Sequence, residues 1–141
     1  MVSAKPFPPS RRHAHRPAHP MTICLLKSKI HRAAVTAASL DYEGSLTIAA
    51  DLAEKVGLRA YERILVGNMA NGERFETYVI LGAPGSGAIE LNGATAHLGK
   101  PGDRLTIMAF GQYNAEEARH HQPAVIVLDA TNAIVRDATG H

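Results

Sequence analysis

The pair Gly44-Ser45 is the first feature of the sequence that could carry chemistry, because a serine hydroxyl can act as a nucleophile. The pair ends the segment Asp41-Tyr-Glu-Gly-Ser45, which lies between two strand-like stretches. Most glycine–serine pairs form a tight turn in which the glycine supplies a positive φ. We interpret a second pair, Gly85-Ser86, as such a turn, and both interpretations of the first pair stay open at this point.

Arg74 and Tyr78 lie four residues apart on one predicted strand, so their side chains share a face. Phe75, Thr77 and Val79 fall on the opposite face. One interpretation is a solvated face, since charged residues are mostly exposed. The other is that the planar guanidinium of Arg74 binds a carboxylate, while Tyr78 gives or takes a proton. A phenol is a poor base but a usable acid toward a carbanion.

Two further groups could contact an anion. Lys29 and His31 alternate with Ile30 on the first predicted strand and therefore share a face. The segment Asn92-Gly-Ala-Thr-Ala-His97 is small and polar after a strand, which suits it to presenting backbone N–H groups to an anion. Each feature is also common on surfaces that bind nothing.

Several other chemistries lack the necessary parts. The sequence contains no phosphate-binding loop, no dinucleotide fingerprint, no zinc-protease motif, no EF-hand and no nucleophile elbow. Its one cysteine, Cys24, excludes an internal disulfide framework and a cysteine-only zinc cluster. His120 and His121 are adjacent and point in different directions, so we predict no metal site.

The composition describes one small domain with a basic N-terminal extension. The chain has 141 residues, of which 45% are hydrophobic and 20% charged, with a net charge of +2. Residues 1–20 hold four basic and no acidic residues, together with five prolines and three histidines, and we expect them to be disordered. The remainder carries 11 basic and 13 acidic groups, which argues against nucleic-acid binding. No run of about 18 apolar residues predicts a membrane helix.

From Met21 onward the sequence predicts seven or eight short strands and two or three short helices, separated by turn residues. The predicted strands are 22–30, 33–39, 46–48, 63–69, 74–81, 88–91, 105–110 and 124–128. The predicted helices are 51–56, with Asp51 as its N-cap and Gly57 as its stop, and 115–120. Asn71-Gly72 predicts a hairpin turn, and the apolar run 124–128 is typical of a strand buried on both faces. A small closed β-barrel follows, because closure removes exposed strand edges.

Five blocks of sequence together resemble the pyruvoyl-dependent aspartate 1-decarboxylases. They occur in one order and cover about 21–135, nearly the whole body of the chain. The blocks are Leu25-Leu-Lys-Ser-Lys-Ile-His-Arg32, Leu40-Asp-Tyr-Glu-Gly-Ser45, Asn71-Gly-Glu-Arg-Phe-Glu-Thr-Tyr78, Asn92-Gly-Ala-Thr-Ala-His97 and Pro101-Gly-Asp103.

The resemblance implies a mainly β fold, a double-psi β-barrel over 21–135, followed by a flexible C-terminus at 136–141. It also implies a precursor that cleaves itself between Gly44 and Ser45. The Ser45 hydroxyl would attack the Gly44 carbonyl, and elimination and hydrolysis would leave a covalent pyruvoyl group at position 45. Thr77 would support this processing. The sequence does not distinguish unassisted cleavage from cleavage aided by a helper protein.

The implied reaction converts L-aspartate into β-alanine and CO₂ through a Schiff base to the pyruvoyl ketone, and supplies β-alanine for pantothenate biosynthesis. The resemblance makes Tyr78 the proton donor and gives the substrate carboxylates to Lys29 and Arg74. The other residues that it places at the substrate are Thr77, Gly93, Ala94 and Thr95. The residues that it gives supporting roles are His31, Tyr42 and Asn92.

The resemblance further implies a cytoplasmic homotetramer with active sites between subunits. The sequence departs from the family pattern at Gly67, where a large residue is common, and at Thr95, which replaces an alanine. Two alternatives to an aspartate decarboxylase remain. The chain could be a barrel that binds without catalysis, or a pyruvoyl enzyme for another amino acid such as glutamate.

Overall fold

The computed structural model describes residues 21–139, which form nine strands, two α-helices and one 3-10 helix. The strands are β1 (Ile23–Ala34), β2 (Ala37–Ser39), β3 (Ser45–Ala49), β4 (Arg63–Asn68), β5 (Arg74–Gly82), β6 (Ile89–Asn92), β7 (Arg104–Tyr113), β8 (Ala124–Leu128) and β9 (Ile134–Asp137). The helices are α1 (Ala50–Lys55), the 3-10 helix (Gly93–His97) and α2 (Ala115–His120). The predicted disorder of residues 1–20 concerns a segment outside the described residues.

All nine strands belong to one sheet, in the order β2-β6-β3-β5-β4-β7-β1-β8-β9. Strand β8 is the sixth strand along from β6 in this order, so in a flat sheet the two would be separated by about 29 Å, at roughly 4.8 Å per strand. Yet Ile89 and Leu91 of β6 share one buried cluster with Ile126 and Leu128 of β8. The sheet therefore curls around a single apolar core.

Asn132, in the turn between β8 and β9, links the two ends of this curled sheet. Its side-chain amide donates to the carbonyl oxygens of Ala34, at the end of β1, and Gly87, just before β6, at 2.8 Å each. Its side-chain oxygen accepts the Ala34 N–H at 2.7 Å.

The end strands β2 and β9 do not pair with each other within residues 21–139. The expected mainly β fold with short helices is confirmed, and its sheet is consistent with a barrel that is not strictly closed.

The hairpin predicted from Asn71-Gly72 is also confirmed. Strands β4 and β5 pair antiparallel, from Arg63 opposite Tyr78 to Gly67 opposite Arg74. Gly72 has a φ of +78°, the left-handed conformation that this turn requires. The turn fixes Arg74 directly across the sheet from Gly67.

Two predicted details differ from the structure in the first half of the chain. The predicted break between the strands 22–30 and 33–39 is wrong, because β1 continues to Ala34 through an irregularity at Arg32, which has a φ of +65°, and only 37–39 of the second segment form the separate strand β2. Helix α1 begins at Ala50, so Asp51 lies in its first turn and is not its N-cap. Asp51 instead accepts the Gly85 N–H at 2.8 Å. The predicted stop at Gly57 is confirmed by its φ of +72° and its N–H bond to the Glu54 carbonyl.

The C-terminal region differs as well. Strand β8 alternates, with only Ile126 and Leu128 buried, so it is not buried on both faces. Strand β9 is absent from the sequence prediction, and it pairs antiparallel with β8 through Arg136 and Asp137. The expected C-terminus 136–141 therefore begins inside a paired strand. Within residues 21–139, no helix is both long and apolar enough to cross a membrane.

Candidate active site

Ser45 begins strand β3 and is almost completely buried, with 1% of its surface exposed. Its hydroxyl donates to the carbonyl oxygen of Glu43 at 3.1 Å and accepts from the side-chain amide of Asn92 at 3.0 Å. Asn92 lies directly opposite on β6 and also donates to the Thr47 hydroxyl at 2.9 Å. Both hydrogen-bonding functions of the Ser45 hydroxyl are thus used, and the oxygen is held beside the turn that precedes it.

Gly93, the first residue of the 3-10 helix, packs directly against that turn. Its φ is +64°, and a β-carbon built on it would lie 2.5 Å from the Tyr42 carbonyl oxygen and 2.6 Å from the Gly44 nitrogen. Backbone atoms cannot accept such contacts without shifting. Only glycine satisfies both the conformation and the close approach at this position.

Thr95 holds the main chain of residue 45 from the same helix. Its hydroxyl lies 3.2 Å from the Ser45 carbonyl oxygen and 2.8 Å from the Asn92 carbonyl oxygen, and it can donate to either. The side chain is only 6% exposed. Residue 45 is therefore held through its hydroxyl by Asn92 and through its carbonyl by Thr95.

A cavity of about 450 Å³ opens next to Ser45. Its lining residues are Tyr42, Glu43, Ser45, Thr47, Ile80, Glu90 and Asn92. This lining contains two carboxylates and no lysine or arginine. An anionic substrate would therefore need its cationic partners from elsewhere.

Lys29 and Arg74 lie together in a second cavity, of about 380 Å³. Gly67, opposite Arg74 on β4, lines the same space, and a β-carbon at Gly67 would have no atom within 4 Å. Lys29 and Arg74 thus line one cavity, but this cavity and the Ser45 cavity have no lining residue in common.

Strand β5 connects the two cavities, since Arg74 lines one and Ile80 the other. Val79 is buried in the core, and Phe75 packs against the core cluster. Both residues lie on the face opposite Arg74 and Tyr78, as expected. Tyr78 is half-buried, and its ring centroid lies 6.4 Å from that of Tyr61. Neither cavity lining includes Tyr78.

Thr77 and Ala94, two more predicted site residues, lie at positions in the fold that the sequence alone does not predict. Thr77 is half-buried and faces Ile64 across the β4–β5 pair, and within residues 21–139 no side-chain hydrogen bond joins it to Ser45. Ala94 is exposed on the 3-10 helix. Thr77 and Ala94 both belong to the sequence blocks that resemble the family, but neither takes part in the hydrogen-bond network of Ser45.

His31 is half-buried next to the cationic cavity, with its Nδ1 3.4 Å from the hydroxyl of Thr106. Burial lowers the pKa of His31 below its ordinary 6.5, and the positive charges of Lys29, Arg32 and Arg104 lower it further. Both effects favour the neutral form of the ring. The structure thus groups His31 with Lys29, as the shared strand face predicts.

Sequence reasoning missed Thr47, Glu43, Ile80 and Glu90, which surround Ser45. The spacing of Ser45 and Thr47, two residues apart on a strand, places them on one face and could have indicated Thr47. The other three become neighbours only through strand pairing and turn geometry. Within residues 21–139, no three His, Cys, Asp or Glu side chains come together in a way that could hold a metal ion.

The fold and the site define a small, mainly β protein with a buried, hydrogen-bonded serine at the start of a strand. Residues 21–135 match the family described as aspartate decarboxylase, and the chain therefore belongs to that family. As expected from the sequence, it is an enzyme, a decarboxylase.

Curated relatives agree with this assignment. The chain is 50% identical over 116 residues to the aspartate 1-decarboxylase of Thioalkalivibrio sulfidiphilus, covering 82% of this chain and 92% of the relative. It is 52% identical over 110 residues to that of Desulfotalea psychrophila, covering 78% and 92%. It is 54% identical over 112 residues to that of Heliobacterium modesticaldum, covering 79% and 85%.

Proposed function

We propose that this chain decarboxylates L-aspartate to β-alanine and CO₂, using a pyruvoyl group that it makes from its own Ser45. The family membership supports the substrate. The observation that carries the cofactor is the buried Ser45 hydroxyl, fixed by Glu43 and Asn92 beside the Gly44 peptide. The β-alanine product would serve pantothenate biosynthesis.

Self-cleavage requires the Ser45 oxygen to replace the residue 45 nitrogen on the Gly44 carbonyl carbon. The hydroxyl proton passes to that nitrogen, the C–N bond breaks and an ester forms. Loss of the α-proton of residue 45 to water then expels the Gly44 carboxylate and leaves a carbon–carbon double bond. Addition of one water and release of ammonia give the ketone. The Asn92 amide supports the first step, since it keeps the attacking oxygen next to the turn.

When present, the pyruvoyl ketone binds the substrate amine as a Schiff base and draws electrons from the α-carbon, so that the α-carboxylate leaves as CO₂. In this proposal Lys29 and Arg74 bind the substrate carboxylates, because two cations match a dianion. Tyr78 returns a proton to the α-carbon. The lowered pKa of His31 favours its neutral form, which adds no third positive charge to the cationic cavity.

The separation of the two cavities supports an active site completed by a second copy of the chain. Leu46 pairs with Val79, so Ser45 lies near the level of Tyr78, and Arg74 is four residues further along β5. Four residues of strand separate the two backbone positions by about 13 Å. In a homotetramer, the cations of one subunit can instead face the serine cavity of its neighbour.

Intact-mass measurement tests the proposal directly. We expect the purified protein to separate into fragments 1–44 and 45–141, with no free amino group on the second, and to release β-alanine from aspartate. Ser45→Ala should give one folded, uncleaved and inactive chain. Ser86→Ala is the matched control, because Gly85-Ser86 is the same dipeptide in an exposed turn. A chain that stays intact after prolonged incubation, or a cleaved Ser45→Ala chain, would contradict the cofactor assignment.

The same assay separates the alternatives. A barrel that only binds ligands would show neither cleavage nor a borohydride-trapped adduct with aspartate. A pyruvoyl enzyme for a longer substrate would be cleaved but would turn over glutamate faster than aspartate. We expect aspartate to be preferred by about 10- to 200-fold, the range typical of one methylene.

A further inference from the structure

We propose that the Thr95 hydroxyl is a catalytic hydrogen-bond donor to the carbonyl oxygen of residue 45. This inference rests on the proposed pyruvoyl function, because that carbonyl adjoins the carbon that becomes the ketone. It assigns Thr95 to the reacting group itself rather than to the substrate.

The contact that carries the inference is buried. The Thr95 oxygen lies 3.2 Å from the Ser45 carbonyl oxygen, and the two residues are 6% and 1% exposed. Thr95 is the third residue of the 3-10 helix, whose start is fixed against the turn before Ser45 by Gly93. The donor is therefore in place before any charge develops, and little solvent competes for it.

Negative charge reaches this same oxygen in two separate steps. During self-processing, removal of the α-proton of residue 45 leaves an electron pair that spreads onto the adjacent carbonyl oxygen before the Gly44 carboxylate departs. During decarboxylation, the pair released by CO₂ loss is conjugated to the same carbonyl. A donor at this oxygen stabilises both steps, whereas a donor to the substrate would affect only the second.

The Thr95 hydroxyl can also change its hydrogen-bond acceptor. Thr95 has one hydroxyl proton and two carbonyl acceptors, with that of Asn92 closer, at 2.8 Å against 3.2 Å. While residue 45 is neutral, the proton can remain with Asn92. Hydrogen bonds to charged oxygen are roughly twice as strong as neutral ones, so the proton shifts to residue 45 as charge develops. Stabilisation that grows toward the transition state accelerates a reaction.

Thr95→Val and Thr95→Ser test the proposal, because valine keeps the shape and removes the hydroxyl, while serine keeps the hydroxyl. Processing is followed by mass over time, with hydroxylamine cleavage to quantify chains halted at the ester. Turnover of aspartate is measured per pyruvoyl group, which is titrated with a hydrazine. Thr22→Val is the matched control, since Thr22 is exposed and bonds only to Gln112 among the described side chains.

We expect Thr95→Val to accumulate ester and to slow both elimination and kcat by about a hundredfold, the lower end of the loss of an oxyanion donor. Thr95→Ser and Thr22→Val should remain within about twofold of the original chain. Equal ester lifetimes and equal kcat for the valine and serine variants would overturn the role of Thr95 while leaving the pyruvoyl function intact. If Thr95→Val does not fold, as judged by circular dichroism, Thr95→Ala is compared with Thr95→Ser by the same readouts. Absence of cleavage in the original chain would instead reject the proposed function.

Discussion

Gly93 approaches Gly44 so closely that a β-carbon at position 93 would lie 2.6 Å from the Gly44 nitrogen and 2.8 Å from its α-carbon. The start of the 3-10 helix is therefore part of the wall that shapes the turn before Ser45. This contact places one requirement of the proposed self-cleavage on a residue nearly fifty positions away in the chain. The shape of the turn depends on the helix as much as on its own sequence.

We accordingly expect Gly93→Ala to slow or stop cleavage between residues 44 and 45. The methyl group would displace the backbone of the turn and move the Gly44 carbonyl away from the Ser45 hydroxyl. The change should also cost more than about 1 kcal/mol of unfolding free energy, because φ is +64° at this position and the methyl group would meet backbone atoms. Time-resolved mass spectrometry of freshly purified protein measures the cleavage, and urea unfolding measures the stability.

Gly57→Ala separates these two effects. Gly57 has a similar φ of +72°, but a β-carbon there meets no atom within 4 Å. The control should therefore lose only the part of the unfolding free energy that is due to φ, about 1 kcal/mol, and still cleave at the normal rate. Equal cleavage rates in the two variants would show that the close approach of Gly93 does not shape the turn.

The proposed shared active site makes a prediction for mixtures of inactive chains. Ser45→Ala should lack the ketone, and Arg74→Ala should lack one carboxylate partner, so we expect each proposed homotetramer to be inactive by itself. When the two are co-expressed, roughly one site in four combines an intact Ser45 with an intact Arg74 from a neighbour. We expect activity to recover to about that fraction, as measured by β-alanine formation in tetramers purified through two different tags.

Lys29→Ala mixed with Arg74→Ala is the matched control. Both residues line the same cavity of one chain, so every site in the mixture still lacks one cation. Recovery in this control as well, or no recovery in the mixture that contains Ser45→Ala, would contradict the shared site.

Local sequence signals predict the elements that local chemistry determines. Asn71-Gly72 defines the hairpin, and the alternation from Arg74 to Val79 correctly assigns the core face of β5. The end of β1 is different, because an irregularity at Arg32 lets the strand continue past a polar patch that predicts a break. Such an irregularity depends on pairing with β7, which no local pattern encodes.

The candidate active site likewise has features that the sequence predicts and features that depend on the pairing of distant strands. The motifs identify Ser45 and Asn92, and the structure places the two side chains in contact. They do not reveal that Lys29 and Arg74 line a separate cavity, because that separation depends on the order of strands in the sheet. The donor role of Thr95 likewise requires the path of the 3-10 helix over β3.

His31 gives the last prediction, because its surroundings make folding sensitive to pH. Burial is the main cause of its lowered pKa, followed by Lys29, Arg32 and Arg104. The unfolded chain, in which the pKa is near 6.5, therefore binds a proton more readily than the folded chain. The unfolding free energy contributed by His31 is complete above pH 6.5 and falls as the pH drops from 6.5 through the folded pKa.

We expect His31→Gln to reduce this loss of stability on acidification, since glutamine cannot take up the proton. Urea unfolding at fixed protein concentration between pH 8 and pH 5 measures the effect, as the slope of unfolding free energy against pH. His120→Gln is the control, because His120 is exposed on α2, far along the chain from the cationic cavity. If His31→Gln kept the full pH slope, or His120→Gln lost it, the acid sensitivity would not originate at His31. A reduced slope in His31→Gln alone would show that the imidazole beside Lys29, Arg32 and Arg104 is the source of the acid sensitivity.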